Sequence, residues 1–283
     1  MKFKRLALGA TAGVVGFMNT AYAMDAWGTV NVYNFTIDVS AISTAPGAPA
    51  PYVTFDSSDG GSSAFAVIAS IRNIDTGINI LTEHSVMSPG NFAPAAASAV
   101  YAPLGLPAST ARTAAGGDPF SGTGTAFATA RAFDFIHSEA GGSFNDGGSF
   151  NDSIVIGPNT RLDIYADVTA TATTSAGDLA AKAGGAALFS LYINPFDGGV
   201  AEDSRVGANV DGSNSTASQS GRVEVTYDNS LGQQVVGAFQ AGAYAFSQVT
   251  AVPEPADAML ILAGLLVVGG IGSRRHHSNG CAD

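Results

Sequence analysis

Hydrophobic and polar residues alternate with period two along much of the chain. In "NTRLDIYADVTATATT", Leu162, Ile164, Ala166, Val168, Ala170 and Ala172 fall on one face. Arg161, Asp163, Tyr165, Asp167, Thr169, Thr171 and Thr173 fall on the other. Successive strand side chains point to opposite faces, so this spacing predicts a half-buried strand. "GRVEVTYDNS" repeats the pattern, with Val223, Val225 and Tyr227 against Arg222, Glu224, Thr226 and Asp228. Phe35, Ile37 and Val39 form another set, as do Phe65, Val67, Ala69 and Ile71. Residues 124–135, 187–194 and 237–249 complete the predicted strands. Turn-forming clusters separate them, such as Asp59-Gly60-Gly61, Asn194 to Gly199 and Asp211 to Asn214. Many strands joined by such turns predict an all-β fold, an antiparallel, jelly-roll-like β-sandwich occupying residues 24–251. Between Ser88 and Thr123 the periodicity fades and prolines gather, which predicts an irregular loop over about 88–123.

The two ends follow a different pattern. Lys2, Lys4 and Arg5 precede an apolar stretch from Leu6 to Met18, then Ala21-Tyr22-Ala23. Charge, apolar run and A-x-A predict a signal peptide over 1–23, cut after Ala23 and exported by the Sec machinery. Near the other end, Ala258 to Ser273 is apolar all round. At about 1.5 Å per residue it makes a short transmembrane helix, since a full span takes about 20 residues. Arg274 and Arg275 follow as a basic stop, which assigns 276–283 to a cytoplasmic tail. Pro253 and Pro255 hold the segment ahead of the helix extended, because each disfavours helix at the residue before it.

Val252-Pro253-Glu254-Pro255, the apolar run and the two arginines together resemble the PEP-CTERM sorting signal, here spanning 252–275. The resemblance implies an exosortase as partner, a membrane-embedded, transpeptidase-like cysteine enzyme that processes its substrate at this motif. It also implies an inner-membrane precursor in a Gram-negative bacterium, then placement at the outer surface or in an extracellular, exopolysaccharide-rich biofilm matrix. Family tails stop within a few basic residues, whereas this one runs on from His276 to Asp283. The order of "NFTIDV", "SSDGGSSAF" and "GPNTRLDIYADVTATAT" is similar to that of uncharacterised substrates of the same class, for which no activity is implied.

Composition narrows the chemistry. Of 12 basic residues, Lys2, Lys4, Arg5, Arg274 and Arg275 lie in the end segments, against 23 acidic residues in the chain. So acidic an exported region repels polyanions, which excludes nucleic acid as a partner. The single cysteine, Cys281, lies in the tail, so the exported region has neither a disulfide nor a thiolate nucleophile.

Three features invite a chemical reading. GGSFND occurs twice in tandem, at 141–146 and 147–152. The side-chain oxygens of Asn145, Asp146, Asn151 and Asp152 suit calcium, the one cofactor that enters consideration. The alternative is a duplicated hairpin connection. Thr169, Thr171 and Thr173 form a ladder that could order water, or an ordinary solvated strand face. His84 and His137 sit in no catalytic frame, although Asp134 and Glu139 lie near His137. These observations describe a non-catalytic exported surface or matrix protein. The alternatives are a carbohydrate- or calcium-binding sandwich module, and a hydrolase built on dispersed carboxylates. Exposed aromatics such as Trp27 or Tyr244 on a flat surface would favour binding, and paired carboxylates in a cleft would favour hydrolysis.

Overall fold

The computed structural model describes residues 25–249 except 56–60, 71–78, 90–92, 105–106, 134–135, 146–153, 176–180, 194–200 and 213. Fourteen strands are present among them. They are β1 Asp25–Ala41, β2 Val53–Phe55, β3 Gly61–Ser70, β4 Asn79–Pro89, β5 Ala95–Tyr101, β6 Ser109–Gly116 and β7 Gly124–Phe133. The rest are β8 Ile136–Asn145, β9 Ile154–Ile156, β10 Thr160–Thr174, β11 Ala181–Ile193, β12 Ala201–Asp211, β13 Thr216–Asn229 and β14 Val235–Val249. The chain is all-β, and its antiparallel sheets form a sandwich. Sheet A runs β13-β10-β1-β7-β6-β5, and sheet B runs β12-β11-β14-β8-β3-β4, with β9 and β2 continuing from the start of β14.

The long strands bury the faces their alternation assigns. Leu162, Ile164, Ala166, Val168, Ala170 and Ala172 are all buried, as are Val223 and Val225. In β3 the core takes the opposite set, Ala64, Ala66 and Ile68, and leaves Phe65 and Val67 half-buried on the outer face. Within 88–123, expected to be irregular, lie β5, β6 and a single 3₁₀ turn at Pro119–Ser121. The period-two signal there is carried by Ala95, Ala97, Ala99, Ala111 and Ala115, which are buried. Alanine differs little in hydropathy from the Ser and Thr between, so the alternation does not stand out in the sequence.

β1 changes parity along its length. Ala26, Val30 and Val32 point inward, and so do Phe35 and Ile37. The switch is a bulge between Tyr33 and Thr36, at which Asn34 takes a left-handed φ of 54°. Asparagine tolerates that region better than most residues, and the extra residue resets which side faces the core. Beyond the bulge, Phe35 meets Phe144, Phe189 and Phe239 at ring-centroid distances of 4.7, 5.3 and 6.0 Å. Before it, Gly28 and Gly185 let the sheets approach backbone to backbone. A Cβ on Gly28 would overlap the Gly184 carbonyl oxygen, and one on Gly185 would overlap that of Thr29.

One side of the sandwich is sealed by side chains. The Glu224 amide of β13 donates to Ser204 Oγ of β12 at 3.0 Å, and the Thr226 amide donates to a Glu202 carboxylate oxygen at 2.9 Å. In return the Gly207 amide of β12 donates to Gln219 Oε1 at 3.1 Å. Unpaired amides on edge strands invite other chains, and these three have partners within the molecule.

A candidate binding cleft on the outer face of sheet B

The outer face of sheet B is set by register. Phe65 of β3 lies opposite Gly141 of β8, which lies opposite Tyr244 of β14, which lies opposite Ala186 of β11. The next outward row reads Ser143, Gly242, Leu188 and Arg205. Small residues therefore sit between large ones, and an open cleft of about 360 Å³ forms, lined by Phe65, Ser143, Leu188, Arg205, Gln240 and Tyr244 around Gly141 and Gly242.

The aromatic rings lie across the sheet. A Cβ on Gly141 would overlap the Phe65 ring, and one on Gly184 would overlap the Phe246 ring. Each glycine thus makes room for a neighbouring ring to lie over its backbone, the cross-strand device that protects glycine in sheets. Tyr244 stands between them, 6.3 Å from Phe65 and 6.2 Å from Phe246 by ring centroids. The three rings form a continuous platform, with Tyr244 38% exposed.

A polar chain pins the platform from one side. His137 Nε2 lies 2.9 Å from a Glu139 carboxylate oxygen, and the same carboxylate accepts from the Tyr244 hydroxyl. An ionised carboxylate only accepts, so His137 carries the proton on Nε2. The His137 bond is the main reason that the Glu139 carboxyl is held below its ordinary value; burial opposes it. Burial, with the Glu139 charge beside it, pushes the Tyr244 hydroxyl well above its ordinary value. Tyr244 is therefore a fixed hydrogen-bond donor at neutral pH.

The residues singled out from sequence are distributed unevenly. Ala21, Ala23, Val252, Pro253, Glu254, Pro255, Arg274 and Arg275 lie outside the described residues, as does the helix expected over 258–273. Among the described residues no helix is long and apolar enough to cross a membrane. Asp146, Asn151 and Asp152 also lie outside them, while Asn145 is the last residue of β8, paired with Gln240 and Gly61. The first GGSFND copy is therefore mostly strand, with Phe144 in the aromatic core, rather than a connection. Among the described residues no group of three or more His, Cys, Asp or Glu is placed to hold a metal ion. His84 is an exposed edge residue on β4.

The threonine ladder lies on the outer face of sheet A and continues onto its neighbours. Thr171 Oγ1 and Thr29 Oγ1 are 2.9 Å apart, and Thr29 stands opposite Thr129, whose hydroxyl accepts from the Trp27 indole at 3.1 Å. These hydroxyls bond to one another and to Trp27, and Asn31 and Arg131 interrupt the rows.

The sequence marks Tyr244 as a candidate binding aromatic and places Phe65 on a strand face, but it singles out neither Arg205 nor Gln240. The outward set Gln240, Gly242, Tyr244 and Phe246 is legible as an alternation in β14; its partners come from strands far away in sequence. Compared with known proteins, the chain matches no family model and no curated relative.

Proposed function

We propose that this chain is a non-catalytic exported surface or matrix protein, delivered as an inner-membrane precursor and processed by an exosortase at Val252-Pro253-Glu254-Pro255. The observation that supports it most is where the fold ends. β14, a central strand of sheet B, stops at Val249, and the motif begins three residues later. Every described strand precedes the motif, so cleavage there would remove none of them. Among the described strands seven successive pairs, β1–β2, β4–β5, β7–β8, β9–β10, β10–β11, β12–β13 and β13–β14, change sheet, which supports a jelly-roll-like winding.

The test is replacement of Pro253, Glu254 and Pro255 with alanine. The apolar run is unchanged, so insertion should persist. The variant is expected to accumulate at precursor mass in the inner membrane, while wild type loses its C-terminal segment. Equal mass and equal location for the two proteins would reduce the segment to a simple anchor.

A second reading, a saccharide-binding sandwich at the cell surface, is favoured by the platform of Phe65, Tyr244 and Phe246. Aromatic faces offer a sugar ring an apolar surface, and the surrounding polar groups give it direction. A hydrolase would need paired carboxylates across the cleft, and the lining residues include neither Asp nor Glu.

A further inference from the structure

We infer that the cleft on sheet B takes a carboxylate-bearing saccharide, with the sugar ring on Phe65 and Tyr244 and the carboxylate on Arg205. The inference rests on the saccharide-binding reading and adds the charge of the ligand.

Arg205 carries the argument. Among the described residues, Arg131, Arg161, Lys182 and Arg222 each make an ion pair. Arg205 makes none, although it lies in a strongly acidic chain and Asp203 stands two residues earlier on the same face of β12. Arg205 is exposed and lines the cleft. A planar guanidinium matches a carboxylate with two parallel hydrogen bonds, which a neutral hydroxyl cannot reproduce.

The cleft is also polarised. Glu139, held ionised by His137, stands on β8 beyond Tyr244, and Arg205 stands two strands from Tyr244 on the other side. At about 4.8 Å per strand, that separation is roughly 10 Å between backbones, enough for one sugar ring between the side chains. An acidic sugar is repelled at Glu139 and drawn to Arg205, so its orientation is set. Gln240 lies between, within the lining, as a partner for hydroxyls. Gly242 leaves the floor open to close approach.

The outer face of sheet A supplies an internal control. Arg112 is likewise exposed and makes no ion pair among the described residues, but its neighbours in register are Thr129 and Ser98, without an aromatic platform. If any free arginine sufficed, the two would behave alike.

The experiment measures binding of the full chain, purified in detergent, to polygalacturonate and alginate, with galactan and dextran as neutral counterparts. The acidic polymers are expected to bind at least tenfold more tightly at low salt, with the advantage shrinking as salt rises. Arg205→Gln should abolish that advantage and leave neutral binding intact, whereas Arg112→Gln should change neither. Phe65→Ala should weaken both classes. Equal binding of acidic and neutral polymers, or an Arg205→Gln variant that keeps the preference, would overturn the inference and leave the saccharide reading standing. Absence of binding to all four polymers would overturn both.

Discussion

The two halves of β1 solve the same packing problem in opposite ways. Before the bulge at Asn34 the sheets meet through Gly28 and Gly185, with backbone against backbone. After it, four phenylalanines fill the space between them. Both halves obey the same inward–outward alternation, so pattern alone does not set the gap between the sheets. Side-chain volume at the inward positions does, and it varies from none to the largest apolar ring within one strand.

The sharpest way to break the aromatic half is Phe189→Ala. The ring is fully buried between Phe35 and Phe239. Its loss should cost about 3–5 kcal/mol, from transfer and cavity together. In the glycine half the same final residue fails for the reverse reason. Gly185→Ala would press a methyl against the Thr29 carbonyl, and backbone cannot swing aside as a side chain can. A cost of about 3 kcal/mol is expected, at the upper end for overpacking. Urea unfolding of the two variants checks both. A Gly185→Ala protein as stable as wild type would show that the sheets separate freely there, and the contrast between the halves would fall.

The bulge that joins the halves gives a smaller effect. Asn34 sits at φ 54° and its side-chain amide donates to Asp167 at 3.0 Å. Asn34→Ala should lose about 1–2 kcal/mol, since alanine lacks the short polar side chain that lets asparagine tolerate the left-handed region. Asn34→Gly should lose less, because glycine adopts that conformation without strain. If glycine proves no better than alanine in thermal melts, the left-handed backbone does not limit the bulge, and the side-chain bond that both variants lose accounts for the cost.

The smallest effect concerns the outer platform, which neither half of the core supports directly. Glu139 is held below its ordinary carboxyl value by His137. Its contribution is therefore complete above that ordinary value, near 4.5, and is lost as pH falls through the lower folded-state value. Glu139→Gln should lower the neutral plateau and flatten the acid limb of stability below about pH 4.5, so that the two proteins converge in acid. Urea midpoints at a series of pH values read this out, and parallel limbs for the two proteins would remove Glu139 from the account.

Much of this was legible in advance where side chains differ strongly in polarity. β10 and β13 alternate Leu, Ile and Val with Asp, Arg and Glu, and their buried faces follow the alternation residue by residue. β5 and β6 were missed because alanine, serine and threonine alternate there with too little contrast. β3 shows the further limit. Phe65 and Val67 are the more hydrophobic set, yet the smaller Ala64 and Ala66 are the ones buried, since a platform on the outer face takes the ring.

The sequence alone determined the class of the fold, because the period of a strand is local and needs no partner. It also carried the acidic balance, the lack of cysteine before Cys281 and the Pro-Glu-Pro motif, all of which are properties of composition and order. Only the tertiary structure decided that Phe65, Tyr244 and Arg205 share one cleft. They lie on β3, β14 and β12, and cross-strand register among distant strands brings them together. Register is a relation between strands, settled when the sheets pair and the core closes, so no single stretch of the chain contains it.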